Sequence, residues 1–105
     1  MILDKEIESE IIYEDEKIFC IKDINPAAKV HLLIIPKKRI NTINDLEDED
    51  KELIGSMVLV AKNLAKKYKI DESGYRLVWN TNKDGGQTVY HIHLHLLGGE
   101  KLREF

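Results

Sequence analysis

Three histidines, His91, His93 and His95, alternate with Ile92, Leu94 and Leu96. Successive side chains of a strand point to opposite faces, so a strand here sets the three imidazoles on one face and turns the aliphatic residues toward a core. Neither β-propensity nor packing calls for a row of identical titratable rings on the open face. Imidazole can act as nucleophile, as acid or base near neutral pH, or as metal ligand. The first and third residues of such a row lie ~13 Å apart along the strand. Zinc binds nitrogen at about 2.0–2.1 Å, so the three rings do not converge on one ion. Two of them together with His31 still could, and a metal-dependent hydrolase stays open on that ground. Covalent catalysis suits the row better. The central ring, His93, would attack phosphorus, the flanking rings would donate to the oxygens of the anion, and water would release a nucleotidyl-imidazole intermediate.

The segment before the row, Asp84-Gly85-Gly86-Gln87-Thr88, joins turn-forming glycines to a hydroxyl. Glycines let backbone N–H groups approach a phosphate, although the same pair also makes a plain turn. For His93 to attack, one ring nitrogen must be bare and the other must carry a proton held by an acceptor. A backbone carbonyl in the Tyr90–His91 stretch is the expected acceptor. His31 is expected to brace His91 from the adjacent strand, and His31→Ala to lower turnover moderately.

The elements that must position these groups follow from apolar spacing. Residues 10–13 and 17–23 read as two strands of a hairpin around the acidic turn Glu14-Asp15-Glu16. His31-Leu32-Leu33-Ile34-Ile35 is an apolar run of strand length, stopped by Pro36. A helix beginning near Leu46 or Glu47 carries Leu53, Ile54, Met57, Val58, Ala61, Leu64, Ala65 and Tyr68 as one stripe, with acidic residues at its start and lysines at its end. Residues 75–80 and 92–97 read as two more strands. Five strands and one long helix predict an α+β fold with largely antiparallel pairing.

Composition narrows the class. The chain has 105 residues, 43% of them apolar, which suits one domain over residues 1–105. A net charge of −3 gives no reason to expect binding to nucleic acid or to an anionic membrane. The single cysteine, Cys20, excludes an internal disulfide and a cysteine-only zinc site. No apolar run approaches a bilayer span, and the first residues do not read as a signal peptide. A cytoplasmic protein is expected.

The run Gly85-Gly86-Gln87-Thr88-Val89-Tyr90-His91-Ile92-His93-Leu94-His95-Leu96-Leu97-Gly98-Gly99 resembles the signature of the histidine triad superfamily, and its flanks resemble the Hint branch of nucleotide-binding proteins. Two further blocks agree: Asp23-Ile24-Asn25-Pro26-Ala27 leading to His31 through Lys38, and Gly74-Tyr75-Arg76 followed by Asn80. The resemblance implies a five-stranded antiparallel sheet with one long helix and a short N-terminal helix, pairing in a homodimer into a ten-stranded sheet. It implies hydrolysis of P–N or related bonds in conjugates of purine nucleoside 5′-monophosphates. By the same resemblance His93 is the nucleophile, His95 and His91 orient it and contact the phosphoryl group, and His31 stands behind them. Asp23 would accept the ribose hydroxyls, Ile21 and Ile24 would line the purine pocket, and Asn80, Gln87 and Thr88 would contact phosphate. Zinc-binding relatives carry a Cys-x-x-Cys segment and often a histidine where this sequence has Arg39, so neither metal nor other cofactor is expected. The ending Glu100-Lys101-Leu102-Arg103-Glu104-Phe105 lacks the Trp-Pro-Pro type of tail seen in many relatives. The alternative to an enzyme is a nucleotide-binding regulatory module with little turnover.

Overall fold

The computed structural model describes residues 10–104, and the expected short N-terminal helix lies outside them. Strands β1 (Ile11–Glu14) and β2 (Ile18–Lys22) form the expected hairpin. Its turn is an Asx turn, in which Asp15 Oδ1 accepts the N–H groups of Lys17 at 2.8 Å and Ile18 at 2.9 Å. β3 (Val30–Pro36), β4 (Tyr75–Val78) and β5 (Leu94–Gly98) complete a five-stranded sheet of order β1-β2-β3-β5-β4, with every pair antiparallel.

Helix α1 (Lys51–Lys67) packs across one face. Ile18, Cys20, Leu32, Ile34, Leu94 and Leu96 of the strands meet Met57, Val60, Ala61, Leu64 and Ala65 of the helix in one buried cluster. The helix starts later than its apolar stripe suggests. Residues 43–45 and 48–50 form two 3-10 turns instead, because their acidic side chains cap locally. Thr42 and Asp45 make a capping box, and Asp50 accepts from the Glu47 N–H at 2.9 Å and from Lys38 Nζ at 2.6 Å. Leu46 therefore falls outside the helix, and Val58 faces outward at 37% exposure while Val60 takes its place in the core. The helix ends where Lys69 adopts φ 62° and Ile70 N–H reaches back to Ala65 O at 2.9 Å.

The last strand also starts later than expected, at Leu94 rather than Ile92. The β3–β5 register sets Ile34 opposite Leu94, so two residues further on it would set Ile92 opposite Pro36. Proline has no N–H to give the ladder. Ile92 N–H leaves the ladder direction and donates to Ile40 O at 2.8 Å. Of the three histidines only His95 lies in β5, and the straight row inferred from alternation is bent at its start.

Candidate active site

The sheet face away from α1 carries a second apolar cluster, Ile21, Leu33 and Ile35 with Phe19 packed against it. His95 pairs with Leu33 across β3–β5, and His31 with Leu97. Directly paired residues of an antiparallel ladder share a face, which brings His31 and His95 together beside this cluster. Their ring centroids lie 5.2 Å apart, and those of His93 and His95 lie 4.8 Å apart in an edge-on arrangement.

The protons on these rings follow from their partners. His93 Nδ1 lies 2.8 Å from His91 O. A carbonyl only accepts, so Nδ1 carries the proton and Nε2 keeps a bare lone pair. The expected carbonyl is the one found. His91 Nε2 likewise donates to Pro36 O at 2.7 Å, which leaves Nδ1 of the neutral ring as an acceptor. Ala27 N–H donates to His31 Nδ1 at 2.9 Å, so the His31 proton sits on Nε2. From there it donates to His95 Nδ1 at 2.9 Å, and the His95 proton is driven to its own Nε2. His31 thus braces His95 rather than His91, because the register places His31 across the ladder from the His95 end of the row. Among the described residues, His91 Nδ1 and His95 Nε2 are both buried and lack a partner. One is a bare acceptor and the other a loaded donor. Buried polar atoms without protein partners are left for water or a bound ligand to satisfy.

Burial disfavours the charged forms of His31, His91 and His95. It pushes His95 down to about 4, with the neighbouring His93 and His31 adding to the effect and Asp23 opposing it. Burial also lowers His31, against the pull of Asp23, and lowers His91 despite its bond to Pro36.

Asp23 anchors the connection between β2 and β3. Its Oδ1 accepts Asn25 N–H at 2.8 Å, while Oδ2 sits 3.4 Å from His31 Nε2. Ile21 is fully buried, so it backs the site instead of touching a ligand, whereas Ile24 is 57% exposed. Asn80 is half-buried near Gly86, and Thr88 is exposed. Gln87 is buried and fully engaged: Oε1 accepts Asn82 N–H, and Nε2 donates to Asn41 O and Val89 O. It braces the loop and has no amide hydrogen left for phosphate.

The glycine loop is likewise a wound turn rather than a phosphate cradle. Gly85 and Gly86 N–H groups donate to Asn82 O and Lys83 O, and Gln87 N–H also reaches Asn82 O. A Cβ on Gly85 would come within 2.4 Å of Thr81 O, and Gly86 has φ +85°. Both glycines are explained by close backbone approach and by a left-handed turn.

The segment from Pro36 to Asn41 is given no role in the site by its sequence, although Pro36 to Lys38 belongs to a matching block. It offers the carbonyls of Pro36, Ile40 and Asn41 to His91, Ile92 and Gln87, and Arg39 Nη2 donates to Tyr90 O at 3.1 Å. These are mostly backbone groups, which carry no signature of residue type. Ala27, though part of a matching block, has no role assigned for the same reason. Only the motif around Pro36 hinted at their place.

Asp23, His31 and His95 also hold three potential ligand atoms within 4.8 Å of one another. The proton pattern opposes a metal there. A metal-bound histidine usually donates its second ring N–H to an acceptor, whereas His31 Nδ1 receives an N–H from Ala27 and needs its proton on the nitrogen that would bind the ion.

Comparison with known proteins agrees with this arrangement. The family profile described as HIT domain matches residues 4–102. The purine nucleoside phosphoramidase of Escherichia coli (strain K12) is 48% identical over 101 residues, covering 96% of this chain and 85% of that protein. A HIT family hydrolase from Legionella pneumophila superposes with a TM-score of 0.91 at 52% identity, covering 97% of this chain and 91% of its own. A histidine triad protein from Clostridium difficile superposes at 0.92 with 36% identity, covering 99% and 90%. Among the described residues no helix is long and apolar enough to cross a membrane. The chain belongs to the HIT family.

Proposed function

We propose that this HIT family enzyme hydrolyses the P–N bond of purine nucleoside 5′-phosphoramidates through a nucleotidyl intermediate on His93. The observation that carries the reading is the pairing of a bare Nε2 on His93 with a buried, unpartnered N–H on the adjacent His95. The name of the Escherichia coli relative supports the substrate class.

His93 Nε2 attacks phosphorus, and a P–N bond to the ring forms. Its Nδ1–H stays on His91 O and spreads the positive charge that develops on the imidazole. His95 Nε2–H donates to a phosphoryl oxygen as charge builds there. The scissile nitrogen, protonated from the medium, leaves as the amine. Water then attacks phosphorus, the bond to His93 breaks, and the proton brought by water returns to the medium. Neutral His31 keeps His95, and Pro36 O keeps His91, in the required tautomer. Asp23 Oδ2 takes the ribose hydroxyls, Ile24 lies against the purine, and Asn80 and Thr88 edge the phosphate side.

The test is release of AMP from adenosine 5′-phosphoramidate, with and without a chelator. Turnover that is equal in both is expected. Loss of turnover on chelation would restore the metal reading, and tight mononucleotide binding without hydrolysis would mark a binding module instead. The outer edge of β4 bears no further strand among the described residues. A second copy pairing there would make a ten-stranded sheet, and sedimentation at about twice the 12.2 kDa chain mass checks it.

A further inference from the structure

We propose that Glu100, beyond the end of β5, is a positioning residue that fixes the proton of His95 from outside the site; the inference rests on the phosphoramidase reading above. The chain leaves β5 at Gly98 and turns at Gly99, where φ is +84°. A Cβ at Gly99 would lie 3.1 Å from Val30 Cγ2 and 3.2 Å from Lys29 Cβ, so the turn passes directly over the start of β3. It delivers the Glu100 carboxylate to Lys29, whose N–H donates to Oε1 at 2.8 Å.

Lys29 ends the connection between β2 and β3, the same connection that carries Ala27. Among the described residues four of its backbone N–H groups are bound: Asp23 N–H to His31 O at the start of the connection, and three beyond it to side chains, Asn25 to Asp23, Ala27 to His31 and Lys29 to Glu100. Among the described residues no backbone–backbone bond involves the N–H groups of residues 24–29. Asp23 pins the near end and Glu100 the far end. Between them the Ala27 N–H is presented to His31 Nδ1.

That presentation, together with the Asp23 carboxylate 3.4 Å from His31 Nε2, sets the direction of a chain of protons. With Ala27 N–H on Nδ1, His31 donates to His95, and His95 offers an N–H to the substrate. If the connection slackens, His31 can carry its proton on Nδ1 instead. Its Nε2 then accepts from His95 Nδ1–H, and His95 turns a bare lone pair toward the phosphoryl oxygens. The same rings in the same places would then repel the anion they should bind. Glu100 therefore acts at a distance through one loop and two imidazoles.

The test compares Glu100→Ala and Glu100→Gln on adenosine 5′-phosphoramidate, alone and combined with His31→Ala. Glu100→Ala should lower kcat about fivefold with KM little changed, a coupling of ordinary size for residues sharing a hydrogen-bond network. Glu100→Gln should stay close to wild type, since the amide oxygen accepts the same N–H. In the His31→Ala background Glu100→Ala should cost nothing further, because the ring through which it acts is gone. An undiminished cost there, a full rate for Glu100→Ala alone, or equal losses for Ala and Gln would overturn the proposal. Nitrogen-15 NMR of the His31 ring needs no substrate. It should show the Nε2–H tautomer in wild type and a mixture in Glu100→Ala, so a wrong substrate assignment is distinguishable from a wrong role for Glu100. Unchanged tautomers would sink the role even if the assay showed a rate loss.

Discussion

Replacing His93 by alanine should reduce turnover of a nucleoside phosphoramidate by at least about ten-thousandfold, as removal of an attacking nucleophile does elsewhere. Nothing nearby can substitute. His91 and His95 are pinned on one nitrogen each, His95 presents a proton rather than a lone pair, and the bare Nδ1 of His91 is buried. The ring of His93 is half-buried and, among the described residues, makes one hydrogen bond, to His91 O, so its loss should cost the fold only about 1 kcal/mol. The variant should therefore keep its thermal transition and still bind AMP, while quenched reactions of wild type with radiolabelled substrate trap label on protein and those of the variant do not. A variant rate within tenfold of wild type would remove His93 from the chemistry.

The second large effect is on stability in acid. His95 binds a proton only near pH 4 in the folded chain, against 6.5 for the free side chain. Between those values the unfolded state holds the extra proton, so stability falls as pH drops through the window and is intact above it. For His95 alone the loss amounts to about 3 kcal/mol. His31 and His91 are lowered in the same direction and add to it. Asp15 and Asp50, whose carboxyls are held below their usual value, lose their contribution mainly below about pH 4, so the fall between about pH 6.5 and pH 5 reads the histidines largely without them. Urea midpoints measured from pH 7 to pH 4 should fall steeply in wild type and much less in His95→Asn. A flat wild-type profile over that range would contradict the buried neutral rings.

How much of this was legible from residue order differs by element. The hairpin and β3 read directly, because alternation and apolar runs report burial on each face, and Asp15 announced its turn. The helix start misread because Asp45 and Asp50 favour local caps over one continuous helix, a competition that apolar spacing does not register. Leu94 as the start of β5 depends on what Pro36 lacks, and Pro36 is remote in sequence. Among the site residues, His93 and its carbonyl partner were inferable from the tautomer that attack requires. The brace on His95 was not, since it hangs on the register of two strands and on one backbone N–H at Ala27. Gln87 and the glycine pair show the complementary difficulty. Their residue types fit phosphate binding, and only the direction of each hydrogen bond reveals that they hold the loop.

The seam between the Pro36–Asn41 and Gln87–Ile92 segments has a consequence for how the chain acquires activity. Its two sides are separated by some 50 residues, with α1 and β4 between them. Closing so long a loop is entropically costly and is repaid only once the contacts beyond it form. His91 is held across this seam and His95 is loaded across the β3–β5 pairing, so a chain lacking either side should not present the rings as the folded chain does. Nucleophile competence and completion of the sheet should therefore arrive together during refolding. On this view a newly made chain should gain the ordered row of imidazoles only as the sheet that holds it is completed.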